Sequence, residues 1–166
     1  MSKAVMLSVR PKWAEKIANG EKTIEIRKTR PKINTLFKCY IYCTLPKYPH
    51  EDFIATDYPR PQFYGGGKVI GEFTCERIAL IAYDGGELSS TTNAAFSPAT
   101  CLTQAEIIAY IGDKGRCYGW YISDLRIYDT PRELSEFTGL RNTRFGAAPY
   151  DIKRAPQSWC YVEAME

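Results

Sequence analysis

The stretch GEKTIEIRK, residues 20–28, makes two demands at once. Read as a strand, its alternate side chains face opposite ways. Ile24 and Ile26 point to one side and ask for a core, while Thr23, Glu25 and Arg27 point to the other. A carboxylate and cations fixed on a strand form either a solvated face or the wall of a site. Lys22, Glu25 and Arg27 are therefore the first candidates for function.

Upstream, KAVMLSV (residues 3–9) reads as a first strand and RPKWAEKIANG (10–20) as a short helix. Pro11 suits the first turn of that helix and Gly20 its end, with Trp13 and Ile17 on a shared face. EKTIEIRK is the second strand and LFKCYIYCTL (36–45) the third. Residues 46–67 form a loop rich in Tyr, Pro and Gly, longer than the roughly 12–15 residues that compact domains leave structureless without a functional reason. KVIGEFTCERIALI (68–81) is a long fourth strand with a bend expected at Gly71. A second long polar connection, 82–101, leads into the helix LTQAEIIAYIG, which opens on the capping box Thr103–Glu106 and stops at Gly112. RCYGWYISDLRIY (116–128) is a fifth strand, TPRELSEF a short helix capped by Thr130, and QSWCYVEAM (157–165) a sixth strand.

Helices set among long strands without regular alternation argue against a doubly wound sheet. The pattern predicts an α+β fold: a small mixed β-barrel of about six strands flanked by two or three short helices. The whole chain, 1–166, is expected to form one domain with its two long loops near 46–67 and 82–101.

A hydrophobic fraction of 45% with 13% aromatic residues can fill a core, and a charged fraction of 25% argues against disorder throughout. The net charge of +3 permits a polyanionic partner, and the distribution favours one. Between Lys3 and Lys38, ten cations face only Glu15, Glu21 and Glu25. No apolar run reaches the roughly 20 residues of a membrane span, so no membrane partner is expected. The lack of a signal-peptide pattern predicts a cytoplasmic location. The six cysteines are then read as reduced and buried. Cys39 and Cys43 would lie about 13 Å apart along a strand, too far to share a zinc, and the single histidine, His50, sits in the first long loop. No metal and no cofactor are predicted.

Three clusters carry chemistry. Lys22, Glu25 and Arg27 supply donors and an acceptor of the kind that reads a base edge, with Lys22 and Glu25 also placed for proton movement. Arg10, Lys12 and Trp13 sit at a helix start, where cations and free N–H groups favour an anion and an indole can stack on a base. Lys28 extends the basic run, and Tyr118 and Trp120 share a strand face that is either a stacking platform or core. Glu72 and Glu76 share a parity on the fourth strand and would be distal acids if that face lined the cleft; Arg141, Arg144, Lys153 and Arg154 fall in an irregular connector.

LSVRPKWAEKIANGEKTIEIRKTRP (7–31), VIGEFTCERI, GWYISDLRIYD and PQSWCYV together resemble bacterial and phage-associated ASCH domains of the PUA-like superfamily. The resemblance implies a β-barrel with a cleft beside the first helix that holds RNA or a modified nucleobase. Some members are acetylcytidine amidohydrolases using a lysine, a threonine and a glutamate, and others are linked to RNA cleavage. Lys22 matches the lysine, Glu25 stands where the threonine would be, and the glutamate has no match. RNA or a modified nucleoside is thus the expected partner, through Arg10, Lys12, Trp13, Lys22, Glu25, Arg27, Lys28, Tyr118 and Trp120. The alternative is a hydrolase acting on an N-acylated cytidine or on RNA, with Lys22 and Glu25 catalytic.

Overall fold

The structure, a computed structural model, describes residues 2–34, 36–45 and 66–166. The first long loop, and His50 with it, lies almost wholly outside the described residues. In chain order the elements are β1 (Lys3–Val9), α1 (Pro11–Ala18), β2 (Ile24–Arg27), β3 (Phe37–Cys43), β4 (Lys68–Tyr83), β5 (Leu88–Ser90), α2 (Gln104–Ile111), β6 (Arg116–Arg132), β7 (Thr138–Thr143), β8 (Gly146–Asp151) and β9 (Trp159–Glu163).

These strands form one mixed sheet in the order β2-β6-β4-β3-β1-β9-β7-β8, with β5 on β4. β1 and β3 run parallel, joined through α1 and β2, and every other pairing is antiparallel. The barrel expected from the sequence is not closed: the hydrogen-bonded path has free ends at β2 and β8, and nine strands replace six. The sheet is nevertheless strongly curled. β6 and β9 stand four steps apart, about 19 Å in a flat sheet. Yet the rings of Trp120 and Trp159 on those strands have centroids 6.2 Å apart. Gly71 helps the curl, because a Cβ there would sit 2.5 Å from the Arg126 carbonyl oxygen, and the β3–β4 and β4–β6 registers both slip beside it.

The concave face holds the first core cluster, in which β1, β3 and β4 close over Ala14 and Ile17 of α1. A second cluster buries Ile24 and Ile26 against Ile81, Cys117 and the Ile107–Ile111 face of α2. A third covers Met6 and Tyr40 with Tyr128, Phe137 and Ile152. β2 is thus buried along its whole length, its isoleucines in core as the alternation required.

Three local readings need correction. TPRELSEF is no helix: β6 stays paired to β4 as far as Arg132, and only a 3-10 turn, Leu134–Glu136, follows. Ladder hydrogen bonds outweigh the local helix signature there. The stretch read as an irregular connector contains most of the β7–β8 hairpin, whose Arg144–Phe145 turn lacks the Asn-Gly type of signal. The connection 82–101 is packed rather than open, with β5 and two 3-10 turns that bury Ala94, Ala95 and Thr100. Among the described residues no helix is long and apolar enough to cross a membrane.

Candidate functional site

Lys22 stands outside β2, on the turn that follows Gly20, whose φ is +84°. The turn breaks strand alternation and brings Lys22 to the side of Glu25 and Arg27. Its backbone N–H bonds the Lys16 carbonyl of α1 at 2.9 Å, and its ammonium donates to the Thr100 carbonyl at 2.5 Å. Thr100 is held for this: its hydroxyl accepts from Leu102 N at 3.1 Å, and Cys101 takes a left-handed φ of 57° to turn the chain into α2. A non-glycine residue in that region costs on the order of 1 kcal/mol, which the surrounding hydrogen bonds offset.

Arg27 is a clamp. Its Nε donates to Glu25 Oε1 at 3.1 Å, one Nη to the Ser8 carbonyl at 2.7 Å, and the other to the Ser158 carbonyl at 3.2 Å and hydroxyl at 3.4 Å. Edge strand β2 is thereby tied by a side chain to the ends of β1 and β9, across the gap the backbone leaves open. Of the five guanidinium hydrogens, this leaves one.

Glu25 is the centre. It sits between Arg27 and the Lys22 ammonium, 3.7 Å from Oε2, and its side chain is 7% exposed. That 3.7 Å is an ion pair but longer than a hydrogen bond. Oε2 accepts no hydrogen bond among the described residues, although buried acceptors are seldom left so. Two cations against one carboxylate give the cluster a net positive charge. Burial lowers the pKa of Lys22 from the ordinary lysine value, with the Glu25 carboxylate pulling partly the other way.

These groups line a cavity of about 530 Å³. Arg10 and Trp13 of the α1 start form one wall, with the Lys12 and Lys22 ammonium groups 4.7 and 4.9 Å from the Trp13 ring centroid. Leu102, Glu106 and Tyr110 line it from the α2 side. Their four-residue spacing is the one signal that would have disclosed them in the sequence, since it places Glu106 and Tyr110 on one stripe of α2 beside the buried Ile107–Ile111 stripe, with Leu102 just before the helix cap.

Arg10, Trp13, Lys22, Glu25 and Arg27 therefore converge, with Lys12 beside them. The others do not. Lys28 and Tyr118 line a neighbouring cavity. Trp120 is fully buried, packed edge-on against Phe37 at 5.9 Å, so it presents no face to a base. Glu72 accepts from the Tyr128 hydroxyl at 2.6 Å and pairs with Lys38, Glu76 is exposed, and neither lines this cavity.

Residues 7–77 match the ASCH domain family. Over these residues the chain is similar to the ASCH domain. The match spans α1, β2 and the Lys22–Glu25–Arg27 cluster, while the α2 wall of the cavity lies beyond it. The crystal structure of ASCH from Zymomonas mobilis shares the fold, with a TM-score of 0.60 at 19% identity over 96% of this chain and 87% of that one. Two single-residue variants of the same Zymomonas mobilis protein, one tyrosine-to-phenylalanine and one serine-to-alanine, give TM-scores of 0.60 at 18% identity. No curated protein matches the chain.

Proposed function

We propose that this ASCH-like domain binds RNA or a modified nucleobase, with one base inserted between Trp13 and Tyr110 and its edge read by Glu25 and Lys22. The observation that carries the reading is the Glu25 Oε2 acceptor, buried beside the cavity and without a hydrogen bond among the described residues. An acceptor held next to an ammonium suits a base edge that offers amino hydrogens beside a carbonyl or ring nitrogen, as cytosine and guanine do. Arg27 holds Glu25 in place through its Nε, which makes it a positioning residue rather than a reader. The flat walls add stacking, worth about 1–3 kcal/mol per base.

Equilibrium dialysis with cytidine, guanosine and uridine tests this, using the parent and Glu25→Gln. The reading expects amino-bearing nucleosides to bind at least about tenfold tighter than uridine, and the preference to vanish in Glu25→Gln, where the carboxylate is replaced by an amide. Equal binding of all three, or none at millimolar concentration, rejects it.

The lowered pKa of Lys22 supports a second reading, hydrolysis of an N-acylated cytidine or of RNA. A desolvated lysine gives up its proton more readily than an ordinary one and, once neutral, can take a proton from an attacking water, which Glu25 then passes to the leaving group. Incubation of N-acetylcytidine and of RNA with the protein, followed by mass analysis, decides it. Unchanged substrates at high protein concentration end this second reading and leave the first intact.

A further inference from the structure

The cavity that adjoins the Glu25 pocket has a different chemistry. It encloses about 610 Å³ and is lined by Lys28, Arg30, Lys32, Lys114, Arg116 and Tyr118, with no carboxylate on its wall. Among the described residues, none of these five cations pairs with an acid. Five like charges around one hollow repel each other, and such a surface gathers anions.

The cations are presented on fixed backbone. Pro31 is buried and Ile33 packs on the first core, so the 28–34 segment is anchored from beneath. Lys32 N donates to the Tyr161 hydroxyl at 2.8 Å, and Trp159 Nε1 donates to the Thr29 hydroxyl at 2.9 Å. Facing this segment, Lys114 and Arg116 flank Gly115 at the start of β6, where a φ of +75° turns the chain into the sheet. The two linings meet at Lys28, whose ammonium lies 5.2 Å from the ring centroid of Tyr110, and Tyr110 belongs to the wall of the Glu25 pocket.

We infer that this cation-lined cavity is a phosphate subsite, which takes the backbone flanking a base held in the Glu25 pocket. The ligand is then a single-stranded polynucleotride segment rather than a free nucleoside. The inference rests on the nucleobase reading above for its register, since the strand passes the Lys28–Tyr110 contact to enter both cavities. A single strand is favoured because it offers a base to such a pocket without the cost of extruding it from a duplex. Phosphates in the hollow neutralise charges that nothing in the described protein neutralises, and their release of counterions makes binding salt-dependent.

The test measures fluorescence anisotropy of a labelled eight-nucleotide RNA at low and moderate salt, alongside dialysis of cytidine. The parent is compared with the double variant Lys114→Glu/Arg116→Glu, whose exposed positions lie outside the Glu25 pocket, and with Glu25→Gln. The inference expects the double variant to lose about tenfold or more in RNA affinity and to show a shallower salt slope, with cytidine binding unchanged. RNA binding at parental strength in the double variant overturns it, and if Glu25→Gln still loses cytidine the base pocket stands alone. RNA binding lost in the double variant but untouched in Glu25→Gln keeps the phosphate subsite and removes the base reading. Failure of the parent to bind RNA at low salt overturns the subsite outright. Circular dichroism of the double variant separates misfolding from lost binding, and Lys114→Gln/Arg116→Gln, which removes charge without reversing it, must then show the same loss in smaller degree.

Discussion

The two cavities beside β2 meet at the Lys28–Tyr110 contact and differ in how their charge is held. In the Glu25 pocket the charges of Lys22, Glu25 and Arg27 are buried and paired: Arg27 spends three nitrogens on Glu25, Ser8 and Ser158, and Lys22 bonds Thr100. In the neighbouring cavity the cations are exposed and without acids. The difference teaches which residues build the fold and which wait for a ligand. Buried charge is costly unless paired, so Arg27 and Lys22 are structural as well as chemical, and in this cluster Glu25 Oε2 is the acceptor left without a hydrogen bond among the described residues. Exposed charge is hydrated and costs the fold little, so the second cluster is free to answer to a partner.

The largest contrast is in stability. Arg27→Met leaves Glu25 beside one cation and cuts the ties from β2 to β1 and β9. Urea unfolding should show a loss of about 3–5 kcal/mol, the usual cost of breaking a buried pair from one side. Arg116→Met, in the open cavity, should stay within about 0.5 kcal/mol of the parent. Similar losses at both positions would erase the distinction between the cavities.

A smaller effect concerns pH. Lys22 is lowered by burial, so between its folded pKa and the ordinary 10.5 the unfolded chain binds more protons than the folded one. Stability from this group therefore rises with pH across that window, and base affinity that needs the ammonium falls through the same range. Lys22→Met should remove the rising stability component, seen in urea midpoints taken from neutral to alkaline pH. An unchanged profile in that variant would show that Lys22 is not desolvated. No comparable slope is expected from Lys114→Met.

The smallest effect probes the core behind both cavities. Burial pushes the thiols of Cys43 and Cys75 up to about 12. All six cysteines are free, and only Cys101 and Cys160 are part-exposed. Alkylation of the native protein followed by peptide mapping should label those two first, with Cys39, Cys43, Cys75 and Cys117 protected until unfolding. Early labelling of Cys43 or Cys75 would mean the curled sheet opens readily.

Much of this was legible in GEKTIEIRK. Alternation put Ile24 and Ile26 in a core and kept Glu25 with Arg27, and the spacing of RPKWAEKIANG gave the helix that supplies Trp13. Propensity and caps also yielded α2, whose Thr103–Glu106 box is present in the structure. What escaped was long-range. That Leu102 and Tyr110 come to line one cavity with Trp13 depends on how the 82–101 segment packs, which no local pattern states. Arg27 looked like a ligand reader because a guanidinium suits phosphate, yet the curl of the sheet brings two backbone carbonyls to it first. Trp120 carried the same composition signal as a stacking platform, and only the approach of Trp159 from a strand four places away shows it to be core. The β7–β8 hairpin escaped because its register rests on pairs such as Gly139 under the Tyr150 ring rather than on an apolar alternation.

The three tryptophans allow the central claim to be tested in one experiment. Trp13 lines the Glu25 pocket, Trp159 bonds Thr29 beside the cation-lined cavity, and Trp120 lies in the core. In a nitrogen–proton NMR titration with cytidine, the Trp13 indole signal should move in a saturable way while those of Trp159 and Trp120 hold still. A Trp13 signal that stays in place at saturating cytidine would contradict the account, because no base would then be lodged against the wall on which Glu25 and Lys22 depend.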